Sequence, residues 1–218
     1  MPTEPQPDPA ESTAPPRRLY WNAYVNGNGA WRTDPDTGKQ KQPPGEHLAA
    51  LRSGLGREAF TVPALWPFYV TETDGKVTRR LEAEHAALSL YGLHQQSQSI
   101  PMHAPGVAVG AALRALHKRP TGEPDDRQKG YSAEAVDRRV AATVSATSVP
   151  AFVHRLRGLI TQLRSVQKPL DYDALMRDIR SWHHPDGRAR VRRAWGMAYH
   201  LRGARPGETD APGTTDRP

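Results

Sequence analysis

Cysteine is absent from the 218 residues, which excludes a disulfide framework and any thiolate metal site. No apolar run approaches the ~20 residues that a membrane-spanning helix needs. The first sixteen residues, MPTEPQPDPAESTAPP, carry acid and proline where a secretory signal would carry basic and then apolar residues. The expected setting is the cytoplasm, with no membrane partner. Strand-like alternation is nearly missing too: its best candidate, TVPALWPFYV, is spoiled by Pro63 and Pro67. Glutamate is absent between residues 151 and 202, where eleven Arg and Lys face four Asp. That local excess equals the +7 of the whole chain. Such clustering attracts polyanions, nucleic acid ahead of acidic membranes or acidic proteins.

What is present divides the chain. Apolar residues make up 37%, and proline and glycine together number 39, a real core diluted by segments that cannot pack. Residues 1–16, with six prolines, and residues 203–218 are expected to be disordered tails. A single domain then spans 17–202. Inside it, the polar stretches 27–45 and 118–130 read as long loops.

The ordered parts carry helical spacing. Arg18 to Asn26 reads as a short aromatic helix. A second helix covers Glu46 to Gly54, with Leu48 and Leu51 on one stripe. Thr61 to Val70 reads as one broken turn carrying Trp66, Phe68 and Tyr69. Arg79 to Gln96 is apolar all round its second half, the pattern of a central, buried helix. Further helices are expected at Val107–Lys118, at Ser132–Thr147 with Ser132 as N-cap, and at Pro150–Ser165. Asp171 caps the next, which aligns Tyr172, Leu175, Ile179 and Trp182, and Gly187–Leu201 closes the chain on Val191, Ala194, Trp195 and Ala198. The fold class is all-α, a single-domain helical bundle with disordered termini.

The motifs that suggest chemistry have structural readings. Gly54-Leu-Gly56-Arg-Glu-Ala59 matches a loose dinucleotide pattern, but a helix precedes it where that pattern needs a strand, so the glycines read as a helix stop. Among nine histidines, none has a second at the spacing that would chelate one ion. Asp171-Tyr-Asp173 has the residues of a Mg²⁺ site of a stand-alone nuclease, yet capping a helix and complementing its dipole explains the pair at lower cost. No cofactor is implied, and a non-enzymatic protein is expected.

The helix over 152–165 sets Arg157 and Arg164 seven apart, opposite its apolar stripe, with Arg155 flanking. Arg138 and Arg139 lie off the valine stripe of their helix, and Arg190, Arg192 and Arg193 lie off the core face of the last one. Guanidinium forks bind phosphate oxygens in pairs, so arginine in place of lysine favours backbone contact with nucleic acid. No base-reading motif is visible, which leaves a non-specific mode driven by counterion release. A basic face for acidic proteins is the other binding reading.

The segment LAALRSGLGREAFTVPALWPFYV (48–70) resembles the LRRGLGR…VP..WPFY signature of actinobacterial CasB proteins, the small subunit of the type I-E CRISPR Cascade complex. LYGLHQQSQ (90–98), GAALRAL (110–116), AVDRR (135–139), LRGLITQLRSVQKPLDYDALMRDIRSW (156–182) and the following RARVRRAWGMAYH are similar to the same family, in order. The resemblance implies an all-α subunit without catalysis. Its partners would be the other Cascade subunits, CRISPR RNA, single-stranded and double-stranded DNA, and a second copy of itself. Its basic surface would hold the displaced non-target strand and stabilise the R-loop in antiviral defence. Carried onto this sequence, the nucleic-acid contacts fall on Arg52, Arg57, Arg114, Arg138, Arg139, Arg157, Arg164, Arg192 and Arg193. Trp66 and Phe68 would pack the core or meet a neighbouring subunit.

Overall fold

The computed structural model describes residues 18–117 and 131–200. The expected tails, the loop 118–130 and the domain's outermost residues 17, 201 and 202 lie outside the described residues. Seven α-helices stand within them: α1 Gly45–Arg52, α2 Arg79–Gln95, α3 Val109–Arg114, α4 Ala133–Val144, α5 Val149–Ser165, α6 Tyr172–Ser181 and α7 Pro185–His200. Short 3-10 turns occupy Tyr20–Ala23, Pro63–Phe68 and Ala115–His117. The all-α expectation holds.

Helix α2 is the axis. Thr78 caps it by accepting from Leu81 N at 3.2 Å, and from Ala83 to Gln95 every residue is buried. α1, α5 and α6 pack against it, while α7 packs on α3 and α4 on α5. Close approach of α1 depends on Gly92, where an added Cβ would sit 2.6 Å from Leu51 Cβ and 3.0 Å from the backbone N of Arg52. Any larger residue would push the two helices apart. Glu84 is buried on this axis with no cationic partner among the described residues; its two oxygens accept from Val70 N at 2.6 Å and Thr71 N at 2.9 Å. Those bonds offset the cost of burying the carboxylate.

The N-terminal segment departs from expectation. Leu19 to Ala23 makes only a 3-10 turn, and Val25 forms an antiparallel bridge with Trp31, so the helix expected over Arg18–Asn26 is corrected. The physical reason lies in its aromatic rings, which are drawn sideways into the bundle. Trp21 is fully buried, its ring centroid 5.8 Å from Tyr91 and 5.4 Å from Tyr172. Burial of such rings outweighs the few backbone bonds a short helix would add. The stretch 27–45 is likewise more than a loop. Trp31 is buried and donates its Nε1–H to Ser99 O at 2.8 Å.

At the other end, Phe152 stacks on Trp182 at 3.9 Å, tying α5 to the α6–α7 joint. α7 begins at Pro185, two residues before the expected start, and buries Val191, Trp195 and Tyr199. Ala194 is exposed, which corrects its assignment to the core stripe. The larger Tyr199 takes that place, bonded to α4 through Asp137.

Candidate nucleic-acid interface

α5 explains how one arginine comes to face outward. Ser148 accepts from Ala151 N at 3.4 Å to open the helix, and Pro150 sits in its first turn. Phe152, Leu156, Leu159, Ile160 and Leu163 then face inward, which leaves Arg157 on the exposed side. α1 ends at Arg52, and Gly54 packs directly against His85 and Leu65. Gly56 takes a φ of 74° that favours glycine. This tight exit is the helix stop that the paired glycines suggest, and it delivers Arg57 to the surface.

Arg57 and Arg157 line one groove of about 840 Å³ between the 54–59 segment, α2, the start of α5 and the α6–α7 joint. Arg188 joins them at its edge, and Ala86, Val153 and Trp182 contribute apolar wall. Two glutamates, Glu58 and Glu82, also reach it. Glu82 Oε2 lies 3.1 Å from His183 Nε2, whose imidazole is pushed toward the neutral form by burial, against the pull of Glu82.

The remaining arginines divide sharply. Arg164 donates to Leu93 O at 3.4 Å and to Gln96 Oε1 at 3.1 Å, at the C-terminal end of α2. Arg192 donates to Val144 O and, at 3.3 Å, to Ala146 O, at the end of α4, and its guanidinium lies 5.6 Å from the Trp182 ring centre. Arg155 donates to Ala142 O on the same end. Arg188 donates to Trp182 O at 3.2 Å, just past α6. Leu93, Ala142 and Val144 lie in the last turns of their helices, where carbonyls have no partner within the helix, and the guanidiniums complement those negative ends. Arg114 Nη1 lies 2.7 Å from His117 Nδ1. That imidazole stands 2.8 Å from Asp137 and 2.6 Å from the Tyr199 hydroxyl. The Tyr199 hydrogen bond is the main cause holding Asp137 below the usual carboxylate range.

Arg138, Arg139 and Arg193 are exposed, and Arg52 is half-buried; like Arg57 and Arg157, they have no side-chain hydrogen bond among the described residues. The structure therefore gathers Arg57 and Arg157 at one groove, and Arg192 with Asp137 at a second, smaller one of about 390 Å³ between α3, α4 and α7; Arg114 acts on Asp137 electrostatically. Sequence reasoning missed Arg188 and Val77 as groove residues. No periodicity links the α6–α7 joint to the 54–59 segment. It also missed the capping role of Arg155, for which the proximity of the α4 end to the α5 start was the available signal.

Asp171 and Asp173 are engaged at the start of α6. Asp171 accepts from Ala174 N at 2.9 Å and Gly106 N at 3.0 Å. Asp173 accepts from Trp21 Nε1 at 2.7 Å and from Asn22 Nδ2 at 3.1 Å. Together with His103 they bring one ligand-type atom each within 4.8 Å of one another. His103 is kept neutral by burial, against the opposing pull of Asp173 and Asp171, and its Nδ1 accepts from Tyr172 N at 3.1 Å. The cluster works as a helix-start clamp that locks the N-terminal segment to α6.

Trp66 is 52% exposed, with its Nε1–H donated to Phe60 O at 3.0 Å. It does not pack the core, whereas Phe68 is half-buried against Tyr20 and His47.

Residues 47–200 match the family described as CRISPR-associated protein Cse2. Among solved structures, CasB from Thermobifida fusca is similar at 31% identity and a TM-score of 0.56, over 72% of this chain and 85% of that one. A CRISPR-associated protein of the Cse2 family from Thermus thermophilus shares the fold at 21% identity and a TM-score of 0.53, over 71% and 85%. A chain of a CRISPR RNA-guided surveillance complex does so at 22% and 0.50, over 73% and 82%. No curated protein matches the sequence.

Proposed function

Because this chain belongs to the CRISPR-associated Cse2 (CasB) family, we propose that it is the small subunit of a type I-E Cascade complex. In this role it holds the backbone of single-stranded nucleic acid, the displaced non-target strand beside the CRISPR RNA, and so stabilises the R-loop. The observation that carries the reading is the convergence of Arg57 and Arg157, from separate segments, on one groove. Exchange of a DNA duplex for an RNA–DNA hybrid is nearly balanced, so modest non-specific backbone contacts suffice to tip it. Arginines presented by a packed bundle supply them at any sequence, with little reorganisation. Arg52, Arg138, Arg139 and Arg193 extend the contact. Arg114, Arg164 and Arg192 keep their charge while serving the fold, and act mainly through the field they add.

The test is single-stranded DNA affinity against salt. Five phosphate contacts give a log–log slope of about −3.5, and Arg57→Ala with Arg157→Ala should lower affinity about tenfold while flattening the slope by about 1.4. A slope near zero would instead favour an acidic protein as partner. The other reading, a Mg²⁺-dependent nuclease, rests on the proximity of His103, Asp171 and Asp173. It requires their carboxylates to leave the α6 clamp. DNA cleavage on adding Mg²⁺, lost in Asp173→Asn, would establish it over ours.

A further inference from the structure

The groove that holds Arg57 and Arg157 has more shape than backbone binding needs. A strand tracked only by its phosphates requires a charged ridge, whereas this groove encloses about 840 Å³, within the range of sites that enclose small molecules. Its walls differ in character. Arg57 and Arg157 stand on it with no side-chain hydrogen bond among the described residues, and Val77, Ala86, Val149 and Val153 give it apolar sides. Val77 is 52% exposed at the mouth, an apolar side chain presented to solvent where the core does not need it.

Three of the polar groups that line the groove are already committed. His85 pairs one ring nitrogen with the Tyr69 hydroxyl at 2.7 Å and the other with Gly54 O at 3.0 Å. The Ser89 hydroxyl donates to His85 O at 2.8 Å, and Ser148 accepts from Ala151 N. Glu82 faces His183 at 3.1 Å, while Glu58, Thr147 and His154 also line the groove, so polar groups border the apolar recess. An apolar recess beside cationic forks suits a planar apolar face attached to a phosphodiester.

We infer that this groove takes one unstacked base of a bound single strand, with the adjoining phosphate held by Arg57 and Arg157. The inference rests on the backbone-binding reading and deepens it. Each subunit would pin the strand at one point, whatever the base, rather than let it slide along a charged face. The contact is tolerant of sequence because every base offers an apolar face.

The experiment compares an all-thymine strand with an equally long, equally charged abasic sugar-phosphate strand, bound to the full-length chain at one salt concentration. Burial of a base face should make the thymine strand bind about tenfold tighter. The gap should close in Val153→Trp, which fills the groove, and shrink in Val77→Ser, whose exposed site puts no fold at risk. Equal binding of the two strands, both weakened by Arg57→Ala, would overturn base insertion and leave backbone binding standing. A thymine preference that survives both groove substitutions would overturn it as well, by placing the base elsewhere. Failure of both strands to bind would overturn both readings.

Discussion

At the end of α4, Arg155 and Arg192 bend back onto Ala142, Val144 and Ala146 carbonyls. At the groove between α2 and α5, Arg57 and Arg157 stand in the open with no side-chain hydrogen bond among the described residues. Both pairs are exposed and both come from the same basic composition. The first pair finishes helices; the second is available to a ligand. A count of charges along the chain treats them alike, so it overstates the surface left for nucleic acid. Exposure does not separate them either. What separates them is whether a helix's unpaired carbonyls lie within reach.

The widest separation should come from replacing the helix-finishing pair. Arg155→Ala with Arg192→Ala removes three contacts from the α4 end, each worth about 1 kcal/mol. Thermal unfolding should start some ~6–12 °C lower, with the single-strand affinity of the folded protein changed less than about twofold. An unchanged melting temperature would erase the distinction between the two regions.

Acid offers a second route, through the core on which both regions rest. His94 is fully buried, and burial is the main cause that drops its pKa to about 3, with Arg164 nearby acting in the same direction. Its folded pKa lies below its unfolded value near 6.5, so the unfolded chain binds the extra proton first. The stability it contributes is complete above about pH 6.5 and is lost as pH falls from there toward about 3, at about 1.4 kcal/mol per unit. Urea melts at about pH 6.5 and about pH 5 should differ by about 2 kcal/mol from this residue alone. His94→Gln should reduce that difference, whereas Arg157→Ala should leave it intact.

Arg164 gives a smaller and sharper comparison, since it shares α5 with Arg157. Arg164→Ala should cost about 1 kcal/mol through the lost contacts to Leu93 and Gln96, read as a shift in urea midpoint. Arg157→Ala should leave that midpoint unmoved and weaken DNA binding. The smallest effect belongs to Arg193→Ala, whose change in stability should stay within about 0.5 kcal/mol. A larger loss there would mean that it too serves the fold.

These contrasts also mark how far the sequence could be read. The apolar stripes of α5 and α6 and the Asp171 cap are local patterns, and the structure keeps them. The buried nature of α2 was legible because its second half has no polar face. The N-terminal turn was not, because what decides it is a tryptophan bonded to an aspartate 152 positions away. Ala194 was misassigned because a stripe drawn at helical spacing cannot tell which of two adjacent residues the neighbouring helix will meet. The arginines were legible as a population. Their division depends on which helix ends lie beside them, and that is a tertiary fact.

The Trp21–Asp173 bond has a consequence for how the chain comes into being. Trp21 is made 152 residues before its partner, so translation at ~5–20 residues per second leaves the indole without its acceptor for roughly 8–30 seconds. Tyr172, which packs on the same ring, arrives at the same moment. The bundle can therefore close only after α6 has been synthesised, and a ribosome stalled before that point would hold an open, aromatic-lined intermediate. Contacts of such long range also slow refolding of the finished chain. The same bond that seals the mature subunit makes its completion wait for α6.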